Sequence, residues 1–349
     1  MRAFAYLSQG QAGWIEKEIP KPTGVDGVIR PLLVAPCTSD VHNVAINCLA
    51  PHRILGHEGL GEIVAVGEGV KDFQVGEVVV VPPVTPDWRT VPSQLGAHQH
   101  CSGLITGQKL SNSEDGLMAE YALIRDLDAN AARIPPGVSW EGAVMAADML
   151  NTGLYGAQLA DVQPGDTVVV MGVGPVGLMA IAGARLRGAG RILAIGSRKA
   201  GVERARFYGA TDVLNYKEGD VTRQVYALTH KQGADCCICA GGGTEALGQA
   251  VAMVRWGGTV GNVNYFTTYG DLPVNNVRYG FGMGNKTIRG GECPGGRGRM
   301  EKLLALLQYG RVDPVPLITH RFQGLEQVET AFRLMAEKPP ELVKAVVAL

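Results

Sequence analysis

The chain of 349 residues has no excess of charge of either sign. Its 32 basic and 33 acidic residues leave a formal net charge of -1, so nothing in it favours nucleic acid or an anionic membrane as a partner. No apolar run approaches the about 20 residues of a membrane-spanning helix. The N-terminal stretch MRAFAYLSQGQAGW lacks the basic region and apolar core of a secretory signal. Seven cysteines are an odd number without a regular framework. That pattern argues against a disulfide scaffold and leads us to expect a reduced, cytoplasmic setting. Cys236, Cys237 and Cys239 share one apolar run and are expected to be small buried hydrophobes. Short-period repeats and low-complexity segments are also absent.

What the chain does have is glycine. The 48 glycines imply many tight turns and close backbone approaches. With 46% hydrophobic and 19% charged residues a packed core is expected, and the length suits two domains. Up to about Asn151 the pattern is of short strands such as VIRPLLVAPC, GEIVAVG and EVVVVPP, broken by Gly and Pro, and an all-β, partly barrel-like core is expected. The segment from Pro82 to Gly116 is a long loop, of the kind that is usually functional. From Thr152 strands alternate with helices: TVVVMGVG, PVGLMAIAGARLRG, RILAIGS, KAGVERARFYG, DVLNY, ADCCICAGG, TEALGQAVAMV, GTVGNVN and KTIRGG. This alternation predicts an α/β doubly wound parallel sheet. After Cys293 two amphipathic helices and the strand VKAVVAL follow, and this tail is expected to rejoin the first domain. The domain expectation is therefore 1–151 with 293–349, and 152–292.

Within TVVVMGVGPVGLMA lies Gly172-Val173-Gly174-Pro175-Val176-Gly177, directly after a strand and opening a helix. The first glycine of such a turn permits the tight bend, the second lets backbone approach a pyrophosphate, and the third lets helix pack on strand. The helix N-terminus offers free N–H groups and a positive dipole to phosphate. The next strand ends in Ile195-Gly196-Ser197-Arg198-Lys199, without the carboxylate that grips a free ribose. Gly196 makes space, Ser197 donates, and Arg198 can hold a phosphate with two parallel hydrogen bonds. The cofactor inferred is NADP(H). Tyr216, expected to close the third strand, is a candidate to cover the adenine or its phosphate.

The stretch ILGHEGLGEIVAVG sets His57 beside Glu58 among glycines. Upstream, Pro36-Cys37-Thr38-Ser39-Asp40-Val41-His42 puts a cysteine at what the pattern predicts to be another strand end. A thiolate and an imidazole form the mixed donor set that zinc takes, and catalytic zinc keeps three protein ligands and one open position. For the third ligand the residues leave Asp40, His42, Glu58 and downstream carboxylates open.

GHEGLGEIVAVGEGV resembles the zinc signature of the medium-chain alcohol dehydrogenases, PCTSDVH their first ligand segment, and GVGPVGLMA their coenzyme turn. The resemblance runs over essentially the whole chain. TPDWRT, AVMAADMLNTG, IGSR, NVNYF and GGRGRMEKL are similar to the NADP-dependent secondary-alcohol branch. It implies a Rossmann cofactor domain beside a mostly-β, GroES-like catalytic domain. Cys37, His57 and Asp148 are implied as zinc ligands, with Glu58 near the metal as an exchangeable fourth ligand or an electrostatic neighbour. The glycines around Glu58 are expected to let the backbone bend and to leave room for substrate. Relatives keep a relay hydroxyl at the position of Ser39, and His42 is a candidate to pass the proton on. Val263, Asn264, Tyr265 and Lys338 complete the expected cofactor contacts.

The four-cysteine loop that holds a structural zinc in many relatives is matched here only by Cys101, so one zinc per chain is expected. The expected substrate pocket has Val84, Gln108, Glu292 and Cys293. Gln108 stands where the branch has an aromatic, and Glu292 replaces an apolar residue, so a roomier, more polar pocket for bulkier ketones is expected. The resemblance implies a homotetramer, with Met283 approaching a neighbouring subunit. The rival expectations are a zinc-free NADPH quinone or enone reductase of the same superfamily, which would lack the Cys/His pair, and a non-catalytic NADPH-binding protein.

Overall fold

The computed structural model describes residues 1–266, 270–276 and 280–349. They form two compact units, Met1–Asp148 with Pro294–Leu349, and Met149–Cys293.

Seven strands precede the interruption of the first unit: β1 (Arg2–Ser8), β2 (Gln11–Glu16), β3 (Gly27–Val34), β4 (Gly59–Val66), β5 (Val78–Val81), β6 (Ala122–Ile124) and β7 (Ala132–Arg133). Six belong to the second unit: β8 (Thr167–Met171), β9 (Arg191–Ile195), β10 (Asp212–Leu214), β11 (Ala234–Cys239), β12 (Val254–Asn262) and β13 (Thr287–Gly290). The tail adds β14 (Ile318–Gln323) and β15 (Lys344–Ala348).

In the first unit β1 and β2 form an antiparallel hairpin, and a larger sheet runs β14-β15-β3-β4-β5-β7 with β6 also on β3. The tail joins this sheet because β15 pairs antiparallel with β3, Val347 opposite Val34. Helix Gln327–Glu337 carries the chain from β14 to the parallel β15 and buries Val328, Ala331 and Met335. Phe4 anchors the core, with Trp14 and Phe332 each edge-on at 5.4 Å. The N-terminal region is not all β. Helix Thr38–Ile46 follows β3, and helix Trp140–Met145 runs into a π-helical turn, Ala146–Leu150, and then helix Asn151–Leu159. Two marks of a helix start are legible there, Asp40 in the first turn after Cys37 and the Ser139 hydroxyl accepting from the Gly142 N–H.

In the second unit the six strands are parallel, in the order β10-β9-β8-β11-β12-β13. The order reverses between β8 and β11, which is where such sheets open a ligand crevice at their carboxyl ends. Val168, Val169, Val170, Leu193, Cys237 and Ile238 are fully buried, as expected for strands covered on both faces. Burial pushes the Cys236, Cys237 and Cys239 thiols up, away from reactive thiolate. Strand β10 stops at Leu214, and Tyr216 opens a short 3-10 turn after it, because the Asn215 side chain accepts from the Lys217 N–H and turns the chain.

The glycines flanking Glu58 differ in purpose from the expectation. At Gly59 a Cβ would meet the Leu33 carbonyl oxygen at 3.0 Å, and at Gly61 the Arg30 carbonyl oxygen at 2.5 Å. Both are small so that β4 can lie close on β3, not to leave room for a substrate. Gly61→Ala is therefore expected to lower the unfolding free energy by about 1–3 kcal/mol, read as a lower denaturation midpoint.

Candidate active site

The sheet register assembles the site. Val34, the last residue of β3, is opposite Gly59, the first of β4. The chain after β3 and the chain before β4 therefore emerge together, and the Ala35 N–H donates to the Glu58 carbonyl at 3.0 Å. Cys37 follows as the N-cap of helix Thr38–Ile46, and His57 and Glu58 immediately precede β4. Neither Cys37 nor His57 is a strand end, as the pattern had suggested; one caps a helix and the other leads into a strand. The lead-in bends at Gly56, whose φ is +91° and whose Cβ would meet Met118 Cγ at 2.7 Å. Asp148 comes from the π-helical turn Ala146–Leu150, a local widening often found at functional positions.

One potential ligand atom from each of Cys37, His57, Glu58 and Asp148 lies within 4.8 Å of the others. Cys37, His57 and Glu58 are buried, and the Asp148 side chain is 15% exposed. His57 Nε2 faces the group, 3.6 Å from Asp148 Oδ2 and 3.9 Å from Glu58 Oε1. Asp40, fully buried, holds the other ring nitrogen, with Oδ1 3.2 Å from Nδ1. Asp40 Oδ1 also accepts from the Ser111 hydroxyl at 2.6 Å and the Gly56 N–H at 3.3 Å. Burial raises the Asp40 carboxyl, but His57 and these hydrogen bonds more than offset it and hold it below the usual range. Burial likewise lowers His57, while Asp40 and Asp148 bring it well above its ordinary value. A metal would take the place of the Nε2 proton: with Nδ1–H donating to Asp40, the Nε2 lone pair would be directed to the group, the tautomer a metal requires.

The donor set fits a divalent metal. A thiolate, an imidazole nitrogen and carboxylate oxygens suit zinc, and Glu58 Oε2 is buried without a hydrogen-bond partner among the described residues. Glu58 Oε1 accepts from Lys344 Nζ at 2.5 Å, and both side chains are essentially inaccessible. Burial raises the Glu58 carboxyl to about 7 against the pull of Lys344. Burial also lowers the Lys344 ammonium, but Cys37, Glu58 and Asp148 together carry it above the usual lysine range. With a cation this close and itself held charged, we take Glu58 as carboxylate. Sequence reasoning missed Lys344; the signal was a lysine inside the otherwise apolar strand VKAVVAL.

Ser39 Oγ lies 3.4 Å from His57 Nε2, so it borders the group. His42 is half-buried three residues along the same helix. Burial lowers its pKa, with a smaller contribution from Lys338. Lys338 is an exposed residue with φ +51° closing helix Gln327–Glu337. Val84 is buried and bridges to the half-buried Gln108. In the long loop, His98 stacks on Trp88 and its Nε2 accepts from the Gly295 N–H.

In the second unit Gly172 has φ +99°, and Gly174 caps helix Pro175–Leu186. A Cβ at Gly177 would lie 2.0 Å from the Gly172 carbonyl oxygen, so only glycine closes the cradle. The Arg198 guanidinium reaches over this turn, its Nη2 3.8 Å from where a Gly174 Cβ would be. Gly196 does not make space for a phosphate, since Val173 Cγ2 fills the position of its missing Cβ at 2.2 Å. Ser197 is half-buried beside Arg198, and Tyr216 is 54% exposed. Val263, Asn264 and Tyr265 follow β12; Val263 N–H donates to Cys239 O, and Asn264 Nδ2 to Gly242 O. Cys293 Sγ accepts from Asn151 Nδ2 at 3.2 Å, and Glu292 is half-buried next to it.

Loss of the Asp40 carboxylate frees the imidazole to rotate. Asp40→Asn is expected to weaken zinc binding by about 10–100-fold, measured by chelator competition; unchanged affinity would remove Asp40 from the site.

The family profile described as alcohol dehydrogenase GroES-like domain matches residues 25–136, and the one described as zinc-binding dehydrogenase matches 175–308. The chain is 52% identical to the NADP-dependent isopropanol dehydrogenase of Thermoanaerobacter brockii over the full length of both chains. It is 51% identical to that of Clostridium beijerinckii, again over both full lengths. Among solved structures it is similar to alcohol dehydrogenase TADH from Thermus sp. ATN1, at TM-score 0.87 and 30% identity over 100% of this chain and 99% of that one. The zinc dependent alcohol dehydrogenase 2 of Streptococcus pneumonia superposes at TM-score 0.88 with 26% identity, over 100% and 98%. Full-length identity of this order, with both profiles matched, places the chain in the zinc-containing medium-chain alcohol dehydrogenase family, in its NADP-dependent secondary-alcohol branch.

Proposed function

We propose that the chain interconverts secondary alcohols and ketones with zinc and NADP(H), using Cys37, His57 and Asp148 to hold one zinc ion and Glu58 as an exchangeable fourth donor. The observation that carries this is the four-residue donor group, three of its members buried, in a chain whose relatives are named NADP-dependent isopropanol dehydrogenases. Met1–Asp148 with Pro294–Leu349 is the catalytic unit, and Met149–Cys293 is the cofactor unit.

Zinc supplies a Lewis acid that stabilises negative charge developing on the substrate oxygen, and NADP(H) supplies or accepts the hydride. The chain's own groups orient and move protons. Asp40 keeps the imidazole of His57 in one tautomer. Ser39 takes the hydroxyl proton of the alcohol at Oγ, and His42, one helical turn away, passes it toward solvent. In the cofactor unit the first turn of helix Pro175–Leu186 takes the pyrophosphate. Arg198 and Ser197 take the 2′-phosphate, and Tyr216 flanks the adenine end. Val263, Asn264 and Tyr265 are the remaining cofactor contacts of this unit, and the catalytic unit offers Lys338.

For the substrate, the catalytic unit offers Val84 and Gln108, and the cofactor unit offers Glu292 and Cys293. Gln108 brings an amide where the branch has an aromatic, and Glu292 brings a carboxylate, so polar or bulkier ketones are favoured over acetone. The enzyme is a cytoplasmic homotetramer. Supporting self-association, the cofactor unit exposes Met283 fully and Trp256 and Phe281 by 59% and 46%. None of the described helices is long and apolar enough to cross a membrane.

Elemental analysis with an NADPH-oxidation assay over a ketone panel tests the reading: one zinc per chain and ketone-dependent turnover are expected. Turnover without zinc would favour a reductase of activated double bonds, and binding of NADPH without turnover a non-catalytic protein. A higher kcat/KM for acetone than for functionalised ketones would refute the polar pocket. Arg198→Asp is expected to raise the KM for NADPH by about tenfold or more and that for NADH little, since two charge-assisted hydrogen bonds are lost. Ser39→Ala is expected to lower kcat by about 100-fold with zinc retained; unchanged turnover would exclude the hydroxyl from proton transfer.

A further inference from the structure

Lys344 is a buried cation with no place in the chemistry described so far. Lysine is almost never fully buried unless paired, yet this side chain is 1% exposed at the start of β15. The topology puts it at the site for a reason of register. Strand β15 runs antiparallel to β3, with Val347 opposite Val34. Its first residue, Lys344, therefore lies beyond the end of β3, on the side where Cys37, His57 and Glu58 emerge. There its ammonium donates to Glu58 Oε1 at 2.5 Å. Cys37 and Asp148 also act on it electrostatically, so it faces the anionic donors from within the protein. Glu58 is divided between two partners: Oε1 is taken by Lys344, while Oε2 is buried and unpartnered among the described residues.

We infer that Lys344 is a positioning residue that competes with the metal for Glu58, holding the carboxylate by Oε1 so that Glu58 yields the fourth metal position to a substrate oxygen. This rests on the zinc reading above and goes beyond it. Charge supports it. Thiolate, Glu58 and Asp148 carry three negative charges, which a divalent cation and one ammonium neutralise. Without the ammonium, the surplus negative charge of Glu58 would have the metal as its only buried cation, and the carboxylate would close the open position. A rival role for Lys344, anchoring β15 in the fold alone, predicts loss of stability and no change at the metal.

The test uses the cobalt(II)-substituted holoenzyme and dimethyl sulfoxide as a neutral oxygen donor. In the wild type, dimethyl sulfoxide is expected to shift the visible cobalt spectrum. In Lys344→Met, the shift should need about tenfold more dimethyl sulfoxide, or more, and zinc should be lost to a chelator more slowly. Glu58→Gln combined with Lys344→Met should restore the wild-type response, because the competing carboxylate is gone. A Lys344→Met enzyme with the wild-type spectrum and response, or one that loses zinc faster, overturns the inference. Should Lys344→Met fail to fold, crystals of wild-type holoenzyme with dimethyl sulfoxide decide it. Glu58 should then be on Lys344, with the sulfoxide oxygen on the metal; Glu58 on the metal beside the sulfoxide overturns the inference. A wild type without zinc would refute the functional reading instead.

Discussion

Buried negative charge that demands a cation is the constraint around which the catalytic unit is built. A thiol, two carboxyl groups and an imidazole lie within one metal's reach, and a third carboxylate, the fully buried Asp40, stands behind the imidazole. Removing such groups from water costs several kcal/mol per ion unless each is paired and hydrogen-bonded. The structure meets this in two ways. Asp40 is satisfied by hydrogen bonds from Ser111, Gly56 and His57. Glu58 is satisfied on one oxygen by Lys344 and left open on the other. Positive charge is thus supplied to Glu58 by the protein on one oxygen only, and the other oxygen stays buried beside the donor group without a partner among the described residues.

Precision at the site comes from the sheet. Strands β3, β4 and β15 are neighbours, so the end of one and the starts of two others deliver Cys37, the His57–Glu58 pair and Lys344 to one edge. Sites on rigid elements are held more closely than sites on free loops. Gly59 and Gly61 let β4 approach β3 to backbone contact, which makes them part of this framework. The one donor from a helical segment, Asp148, uses a π-helical turn instead.

The cofactor unit works by close backbone approach. Gly177 must lack a side chain because the Gly172 carbonyl occupies its place, and Gly196 and Gly201 both make way for Val173. Val173 is thereby wedged under the turn, and the strand end carrying Arg198 is drawn up against the phosphate cradle. The guanidinium held there and the lack of an acidic residue at the end of β9 suit a phosphorylated ribose, as proposed above.

Much of this was legible in one dimension. The alternation after Thr152, the glycine turn opening a helix, the basic residues after β9 and the Cys37 and His57 segments are local signals, each carried by neighbours in sequence. The helix at Thr38–Ile46 was hidden because the strand before it and the cap share one apolar run. The roles of Asp40, Ser111 and Lys344 were not legible, since each is defined by a partner: Asp40 by an imidazole 17 residues away, Ser111 by a carboxylate 71 away, and Lys344 by one 286 away. The sequence by itself determined the alternating elements after Thr152, the glycine turn, the basic strand end that suits a phosphorylated dinucleotide and which donor types are present. Only the tertiary structure decided which donors meet, which carboxylate orients and which one faces the metal position, because strand register and burial fix those choices between distant residues.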